Sequence, residues 1–240
     1  LKPNVTTIEK KLTAYKISGD YFLFTGAMNK RKNLKTTIEA FIKFKEQTNS
    51  KIKLVLAGRM NWGGSQIEKL LKNNNLQDEV ILPGYIEDQD LPAVISGARA
   101  VLYLSLYEGF GFPALEAMKV GTPIIASNTS SIPEVVEDAG LLVNPLDLKE
   151  IVNAMSEISS NAEIRNQYIQ KGIKQAEVYE RDYVNLIYQM QDFKPPIKTT
   201  VKYQDVYYAD DKSDGKIKPK KLSKEKFLGL ENHLKKNIIG

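Results

Sequence analysis

The sequence predicts a doubly wound α/β domain over residues 21–192, built on a parallel six-stranded sheet. Short apolar runs of four to six residues alternate along the chain with segments whose apolar positions recur every three or four residues. The runs are apolar on both faces, as strands are when helices cover both sides of a parallel sheet. With 42% hydrophobic and 26% charged residues, the composition is that of an ordinary globular domain.

Six segments are predicted to be strands, and the loop after each leads towards a helix or the next strand. The predicted strands are 21–25, 53–57, 80–82, 100–104, 123–126 and 140–143. Helical periodicity covers 34–45, 66–74, 88–97, 113–119, 147–160 and 161–191. Pro113 stands in the first turn of its helix, where the missing N–H costs nothing. Ligands of such sheets bind beyond the carboxyl ends of the strands, so function is expected in these loops.

Both ends of the chain differ from this pattern. Residues 1–20 are polar with little periodicity and are predicted to be an interdomain linker. Residues 193–240 hold 12 lysines and 6 acidic residues, a net charge of +6, whereas residues 1–192 carry a net charge of −1. They are predicted to be a basic tail, either a linker or a peripheral segment, with a short helix at 223–238. Because the chain starts at Leu1, we expect it to be a fragment of something longer.

Composition excludes several kinds of chemistry. The chain has no cysteine and one histidine, His233, which excludes disulfides, thiol nucleophiles and cysteine-ligated metals. Carboxylates, lysines, arginines, hydroxyls and backbone amides remain. No apolar run is long enough for a transmembrane helix, and no basic stripe in the body favours nucleic acid. A cytoplasmic location is expected, with membrane-peripheral placement through the tail as an extension of it.

The loop after the fourth strand, residues 107–116, carries the strongest functional signal. Its two glycines let the backbone approach a ligand closely, and the helix that follows presents free N–H groups to an anion. Glu108 and Glu116 can flank one crevice and accept hydrogen bonds from vicinal hydroxyls. On spacing alone, a tight strand–helix connection with incidental surface glutamates is an equal alternative.

The loop after the first strand supplies positive charge to the same edge. Residues 26–34 include Lys30, Arg31 and Lys32, which could neutralise a diphosphate leaving group. Such a run taken alone is more typical of a solvated loop. Arg59 follows the second strand and is expected at the same edge of the sheet.

These segments together resemble the retaining glycosyltransferases of family 4, which have the GT-B fold. The two glutamates match the E-x7-E signature of that family. Further motifs match in order and spacing from about residue 20 to residue 192; they are 82–86, 90–92, 105–113, 116–118, 121–127 and 133–135. The resemblance implies the Rossmann-like, donor-binding C-terminal half of such an enzyme.

The resemblance also implies roles for individual residues. Glu108 would contact the donor sugar, Glu116 the ribose hydroxyls and Lys32 the diphosphate, with Glu108 and Lys32 as the catalytic residues. The full set of implied donor-binding residues is Gly26, Arg31, Lys32, Arg59, Tyr85, Ile86, Glu108, Gly109, Phe110, Gly111, Phe112 and Glu116.

Three further points concern the phosphate contact, the base and the metal. Ala27 stands where many family members carry arginine, and Arg31 or Arg59 is expected to replace that phosphate contact. By the same resemblance, the loop Gly84–Ile86 would hold the nucleobase through its backbone. Backbone contacts do not indicate which base is bound. The acids at 88–90 fit a short D-x-D pattern but are interpreted as helix caps. The resemblance implies no metal, because GT-B enzymes generally need none, and no cofactor is predicted, the nucleotide sugar being the substrate.

The leading functional hypothesis is transfer of a hexose-type sugar from a nucleotide-diphosphate sugar to a glycan or lipid-linked acceptor. The acceptor would be bound mainly by an N-terminal domain missing from this chain, so the chain alone is expected to bind donor and to be inactive. The alternative is a non-catalytic nucleotide-binding module whose basic tail binds anionic lipid or nucleic acid. A dinucleotide-dependent oxidoreductase is disfavoured because no G-x-G-x-x-G follows the first strand.

Overall fold

The computed structural model describes residues 2–59, 64–192, 207–210 and 218–221, and the chain divides into two compact units, Leu1–Val178 and Tyr179–Gly240. The first unit contains a six-stranded, all-parallel sheet in the order β3-β2-β1-β4-β5-β6. Its strands are Tyr21–Thr25 (β1), Lys53–Ala57 (β2), Val80–Gly84 (β3), Ala100–Tyr103 (β4), Ile124–Ser127 (β5) and Leu141–Val143 (β6). The predicted doubly wound α/β fold is confirmed.

Helices alternate with these strands. They are Val5–Ala14 (α1), Leu34–Thr48 (α2), Gly64–Asn73 (α3), Leu91–Gly97 (α4), Phe112–Lys119 (α5), Ile132–Val136 (α6), Leu148–Ser160 (α7) and Ala162–Asp192 (α8). A single 3₁₀ turn, Lys30–Lys32, precedes α2. Helix α6 was not predicted, because five residues are too few to show a helical period. Within the described residues, no helix combines the length and the apolar character needed to cross a membrane.

The core lies on both faces of the sheet, as the double-sided apolar runs indicate. All five residues of β1 are buried. On one face Phe22 meets Phe44 of α2 edge to face, with ring centroids 5.3 Å apart, and Phe41 stacks beside Phe44. Such aromatic pairs add to the stabilisation that burial alone provides. The sheet is therefore a rigid base for the loops at its carboxyl edge.

Within the predicted linker 1–20, the segment Val5–Ala14 is helical and forms α1. Its apolar side chains pack on α4: a Cβ placed on Gly97 would lie 3.0 Å from Leu12 and 3.4 Å from Ile8. Val5, Ile8 and Leu12 stand at helical spacing, but three apolar residues among polar ones are a short signal. The contact with α4 stabilises a helix that propensity alone does not reveal.

The tail shows regular structure that the sequence did not predict. In the second unit, Tyr207–Asp210 (β7) pairs antiparallel with Lys218–Lys221 (β8). The helix predicted at 223–238 lies outside the described residues.

The loops at the carboxyl edge are fixed to one another through their backbones. The N–H of Gly26 donates to Ala57 O at 3.0 Å, and the N–H of Gly58 donates to Gly84 O at 2.8 Å. Gly58 has a φ of 142°, and a Cβ at this position would lie 1.9 Å from the carbonyl oxygen of Gly26. The close approach of these loops therefore requires glycine at position 58.

Replacing Gly58 with alanine should lower the free energy of unfolding by about 3 kcal/mol, through backbone strain and the clash with Gly26. Chemical denaturation measures the effect. Gly109→Ala is the matched control, since a Cβ there meets no atom within 4 Å, and its change should stay below about 1 kcal/mol. Equal free energies of unfolding for Gly58→Ala and Gly109→Ala would show that the loops carrying Gly26 and Gly58 can move apart at no cost in stability.

Candidate active site

The crevice lies where the strand order reverses, between the carboxyl ends of β1 and β4, which pair with each other. Open α/β sheets bind ligands at this switch point. The loops after the two strands are joined directly, since the N–H of Leu106 donates to Arg31 O at 2.8 Å. Two loops whose bonded residues are 75 positions apart in sequence are thus held side by side.

Glu108 and Lys32 form an ion pair at the centre of this crevice. The distance from Lys32 Nζ to Glu108 Oε1 is 2.7 Å, and only 7% of Lys32 and 8% of Glu108 are exposed. The Arg31 guanidinium also pairs with the Glu108 carboxylate and donates to Tyr107 O at 2.8 Å. Both cations that were predicted to meet a diphosphate therefore also hold Glu108.

The position of Lys32 is fixed from three sides. Its backbone N–H donates to Asn29 Oδ1 at 3.2 Å, which orders the 3₁₀ turn. The side chain lies beside Gly26, where a Cβ would be 3.6 Å from Lys32 Cε, an ordinary van der Waals contact. The ammonium stands 4.8 Å from the centroid of the buried Tyr103 ring, a cation–π contact. Tyr103 was missed because, within its strand, it has the pattern of an ordinary core residue.

Glu108 is ionised at neutral pH despite its burial. Burial raises the pKa of its carboxyl, but the ion pairs with Lys32 and Arg31 outweigh it and lower the pKa overall. Buried ion pairs lose hydration that their mutual attraction must offset. Removal of Lys32 leaves Glu108 with Arg31 alone, and removal of Glu108 leaves both cations without this carboxylate.

Two serines from the loop after β5 anchor the backbone around Glu108. The N–H of Glu108 donates to Ser130 Oγ at 3.0 Å. The Ser131 hydroxyl lies 2.9 Å from both Glu108 O and Phe110 O and can donate to either. With these carbonyls engaged, the glycine loop has a defined orientation. The sequence motif at 133–135 lies next to these serines, but nothing in it indicates this contact.

The glycine loop leads directly into α5. Gly111 has a φ of 131°, a conformation that favours glycine, and α5 begins at the following residue. A Cβ added to Gly109 would meet no atom within 4 Å. The rings of Phe110 and Phe112 lie 4.8 Å apart and are about two-fifths exposed, at 39% and 41%. The backbone of the loop is thus accessible at the positive end of a helix.

Glu116 is the fifth residue of α5. Its side chain is exposed, although the protein atoms around it reduce its hydration. This loss of hydration and the negative charge of Asp88 raise the pKa of Glu116 to about 7, while Lys32 opposes the shift. The pKa of Glu116 therefore depends on the charges of both Asp88 and Lys32.

A pocket of about 250 Å³ adjoins the crevice, over the carboxyl ends of β1, β2 and β3. Its walls include the predicted residues Gly26, Arg59, Tyr85 and Ile86, together with Asp88. The Arg59 guanidinium lies 5.0 Å from the centroid of the Tyr85 ring, and the Tyr85 hydroxyl donates to Asp88 Oδ1 at 3.0 Å. Arg59 and Arg31 thus line different parts of the site.

The interpretation of Asp88 and Asp90 as helix caps is wrong. Asp90 occupies the N-cap position of α4 but makes no side-chain cap bond. Instead it pairs with Lys11 at 2.6 Å and accepts a hydrogen bond from the Tyr15 hydroxyl at 3.0 Å, which ties α1 to this edge. Among the described residues, no group of three or more His, Asp or Glu side chains is placed to hold a metal ion.

The sheet order and the crevice at its switch point define a Rossmann-like α/β domain. The model of the family described as glycosyl transferases group 1 matches residues 7–175, and the chain belongs to this family. The predicted glycosyltransferase family is thereby confirmed at the level of group 1, and the match begins within α1, in agreement with its packing on the domain.

Comparison with individual proteins agrees with this assignment. The chain is 38% identical to the O-antigen chain mannosyltransferase B of Escherichia coli over 131 residues, which is 55% of this chain and 34% of that protein. It spans about a third of the length of this relative. The C-terminal domain of a group 1 glycosyl transferase (LpcC) from Francisella tularensis superposes with a TM-score of 0.65 at 25% identity, over 74% of this chain and 94% of that domain.

A more distant likeness concerns the fold alone. HepE from Anabaena, solved in complex with UDP-glucose, superposes with a TM-score of 0.67 at 19% identity. The superposition covers 80% of this chain and 53% of HepE.

Proposed function

We propose that this chain is the donor-binding domain of a retaining glycosyltransferase that takes a hexose from a nucleotide-diphosphate sugar and passes it to a glycan or lipid-linked acceptor. The observation that carries the proposal is the buried Lys32–Glu108 pair at the switch point of a group 1 glycosyl transferase domain. The pair combines a cation for the leaving group with a carboxylate for sugar hydroxyls.

Lys32 can serve both partners at once. Its ammonium has three N–H donors, of which Glu108 uses one, so the others can meet the oxygens of a diphosphate. The positive charge would stabilise the negative charge that develops on the diphosphate as the sugar departs. Arg31 and the backbone amides of Gly109 and Gly111 would add to this stabilisation.

Glu108 would orient the sugar. Its carboxylate is fixed by two cations, and a carboxylate can accept about four hydrogen bonds. A rigid acceptor of this kind suits two neighbouring hydroxyls and holds the reacting carbon close to the leaving group. Glu116, between Asp88 and Lys32, would accept hydrogen bonds from the ribose hydroxyls.

The named relatives support the choice of substrates. The Escherichia coli relative is an O-antigen chain mannosyltransferase, which favours a hexose and a glycan acceptor. HepE was solved with UDP-glucose, which favours a nucleotide-sugar donor on this fold. Because the relatives are longer, the acceptor would be bound mainly by parts of the protein outside this chain. A cytoplasmic location and weak membrane contact through the basic tail belong to the same proposal.

Titration of the chain with nucleotide-diphosphate hexoses by isothermal calorimetry tests the proposal. One or more of them should bind, and the affinity should be equal with and without a chelator, because the cations of the crevice replace a divalent ion. The free hexose is the control and should not bind measurably. Failure of every nucleotide sugar to bind would refute the proposal, and loss of binding with chelator would refute its metal-free form.

Affinity for the nucleotide sugar should increase with pH. Glu116 accepts hydrogen bonds as a carboxylate, and its pKa is about 7 in the free domain. Protonation below that value competes with binding, so affinity at pH 8 should exceed affinity at pH 6 by about tenfold. A nucleotide sugar is used because its diphosphate does not titrate in this range. In Glu116→Gln the affinity should be independent of pH. A pH dependence that persists in this variant would show that another group is responsible for it.

A further inference from the structure

We propose that Tyr15, the C-cap residue of α1, is a positioning residue of the donor site, that is, of the crevice and the adjoining pocket. Its hydroxyl holds the turn at residues 87–90, and this turn sets the distance between Asp88 and Glu116. The inference rests on the proposed function and adds to it a residue from the segment that precedes the sheet.

The Tyr15 hydroxyl is bonded to both ends of the turn. It accepts a hydrogen bond from the backbone N–H of Glu87 at 3.2 Å and donates one to Asp90 Oδ2 at 3.0 Å. The turn is also closed by its own backbone, because the carbonyl oxygen of Glu87 accepts from the N–H groups of Asp90 at 2.8 Å and Leu91 at 3.0 Å. The hydroxyl therefore holds the turn as one unit.

Helix α1 gives this hydroxyl a fixed position. Ile8 and Leu12 pack on α4, and Lys11 Nζ lies 2.6 Å from Asp90 Oδ1. The Tyr15 ring is itself half-buried. A hydroxyl that is carried by a packed helix and bonded to a loop restricts where that loop can lie. The segment before the sheet thus determines the position of residues 87–90.

Asp88 lies inside this turn, and its carboxylate acts on the donor site. It lines the pocket and accepts a hydrogen bond from the Tyr85 hydroxyl at 3.0 Å. Loss of hydration and the negative charge of Asp88 raise the pKa of Glu116 to about 7, and the charge of Lys32 opposes this shift. A displacement of the turn would therefore change both a wall of the pocket and the charge state of Glu116.

The variant Tyr15→Phe removes only the hydroxyl and tests the inference first in the chain without a nucleotide. The ring keeps its packing and Asp90 keeps Lys11, so the variant should fold. The pKa of Glu116, measured by ¹³C NMR of its side-chain carboxyl, should fall from about 7 to about 6, because Asp88 is no longer held near it while its hydration stays reduced.

Calorimetry with the glucose diphosphates of uridine, guanosine and adenosine tests the effect on the donor, and the tightest binder is used for the variants. At pH 8 the affinity of Tyr15→Phe should be about fivefold lower, because binding must then order a free turn. Between pH 6 and pH 8 its affinity should increase by about twofold, against about tenfold for the wild type, as the lower pKa of Glu116 requires.

Two further variants separate positioning from a purely structural role. Lys11→Met breaks the ion pair with Asp90 but leaves both bonds of the Tyr15 hydroxyl, so it should lower the thermal unfolding midpoint without changing the pKa of Glu116. Tyr168→Phe, in which a half-buried tyrosine of α8 loses its hydroxyl, is the matched control. It should change neither the pKa of Glu116 nor the affinity.

The outcomes distinguish this inference from the proposed function. If none of the nucleotide sugars binds the wild type, the proposed function fails and the inference fails with it. If the wild type binds and Tyr15→Phe retains its affinity at pH 8 or a Glu116 pKa of about 7, the inference alone is overturned. An equal fall of this pKa in Lys11→Met would also overturn it, since the hydroxyl would then have no role of its own.

Discussion

Replacement of Lys32 with methionine should weaken the binding of a nucleoside diphosphate by about 100-fold, because the site loses a charge-assisted hydrogen bond in a buried crevice. Methionine keeps most of the length of the side chain, so the cavity changes little. Calorimetry with the diphosphate measures the loss. The same titration with the bare nucleoside should show no difference, since Lys32 is expected to contact only the phosphates.

Lys32→Met should also lower the free energy of unfolding by about 3 kcal/mol, because Glu108 stays buried with only Arg31 beside it. The double variant Lys32→Met with Glu108→Gln should recover much of this stability while diphosphate binding stays weak. That divergence separates a binding role from a purely structural one. Lys35→Met, in which an exposed lysine of α2 is changed, is the control and should alter neither quantity. Wild-type affinity in Lys32→Met would exclude the assigned role.

Replacement of Glu116 with alanine should weaken the nucleoside diphosphate by about 1–3 kcal/mol, the free energy of hydrogen bonds to a charged acceptor. The loss should depend on the ribose hydroxyls and not on the phosphates. A 2′,3′-dideoxynucleoside diphosphate should therefore bind the wild type and Glu116→Ala equally. An equal loss for the ribose and the dideoxy ligand would place Glu116 on another part of the donor.

The sheet could be predicted because parallel strands covered on both faces need apolar residues at every position, and this leaves short, continuous runs such as 21–25 and 100–104. Two helices, α1 and α6, were not predicted, and each omission has a physical reason. Helix α6 is a single short turn, and α1 has only a few apolar residues, of which Ile8 and Leu12 pack against α4.

The site was predictable where one loop carries it. Glu108 and Glu116 lie on one strand–loop–helix unit, so their spacing indicates a shared crevice. The pairing of Glu108 with Lys32 joins loops 76 residues apart, and resemblance gave each residue a role without showing that they touch. The supports of the pair come from still other segments. Tyr103 and Ser130 contact it only after the sheet has formed, which no local pattern records.

The orientation of the Asp88 side chain could not be predicted from the sequence either. In sequence it begins a helical segment, where an acid is usually a cap, and the base was expected to be held by backbone alone. The fold instead turns its carboxylate towards the pocket and fixes it with Tyr85. Whether a side chain at a helix start faces solvent, the helix or a ligand depends on the neighbouring loops, here the loop that carries Arg59.

The central claim is that the crevice between β1 and β4 binds the donor through Lys32, Glu108 and the glycine loop. Titration of the ¹⁵N-labelled chain with a nucleotide-diphosphate hexose tests it most directly, with amide chemical shifts read residue by residue. The account predicts saturable shifts at residues 26–32 and 108–112, and none at 77–79 on the opposite edge of the sheet. Shifts confined to that opposite edge, or none at all at saturating ligand, would contradict it.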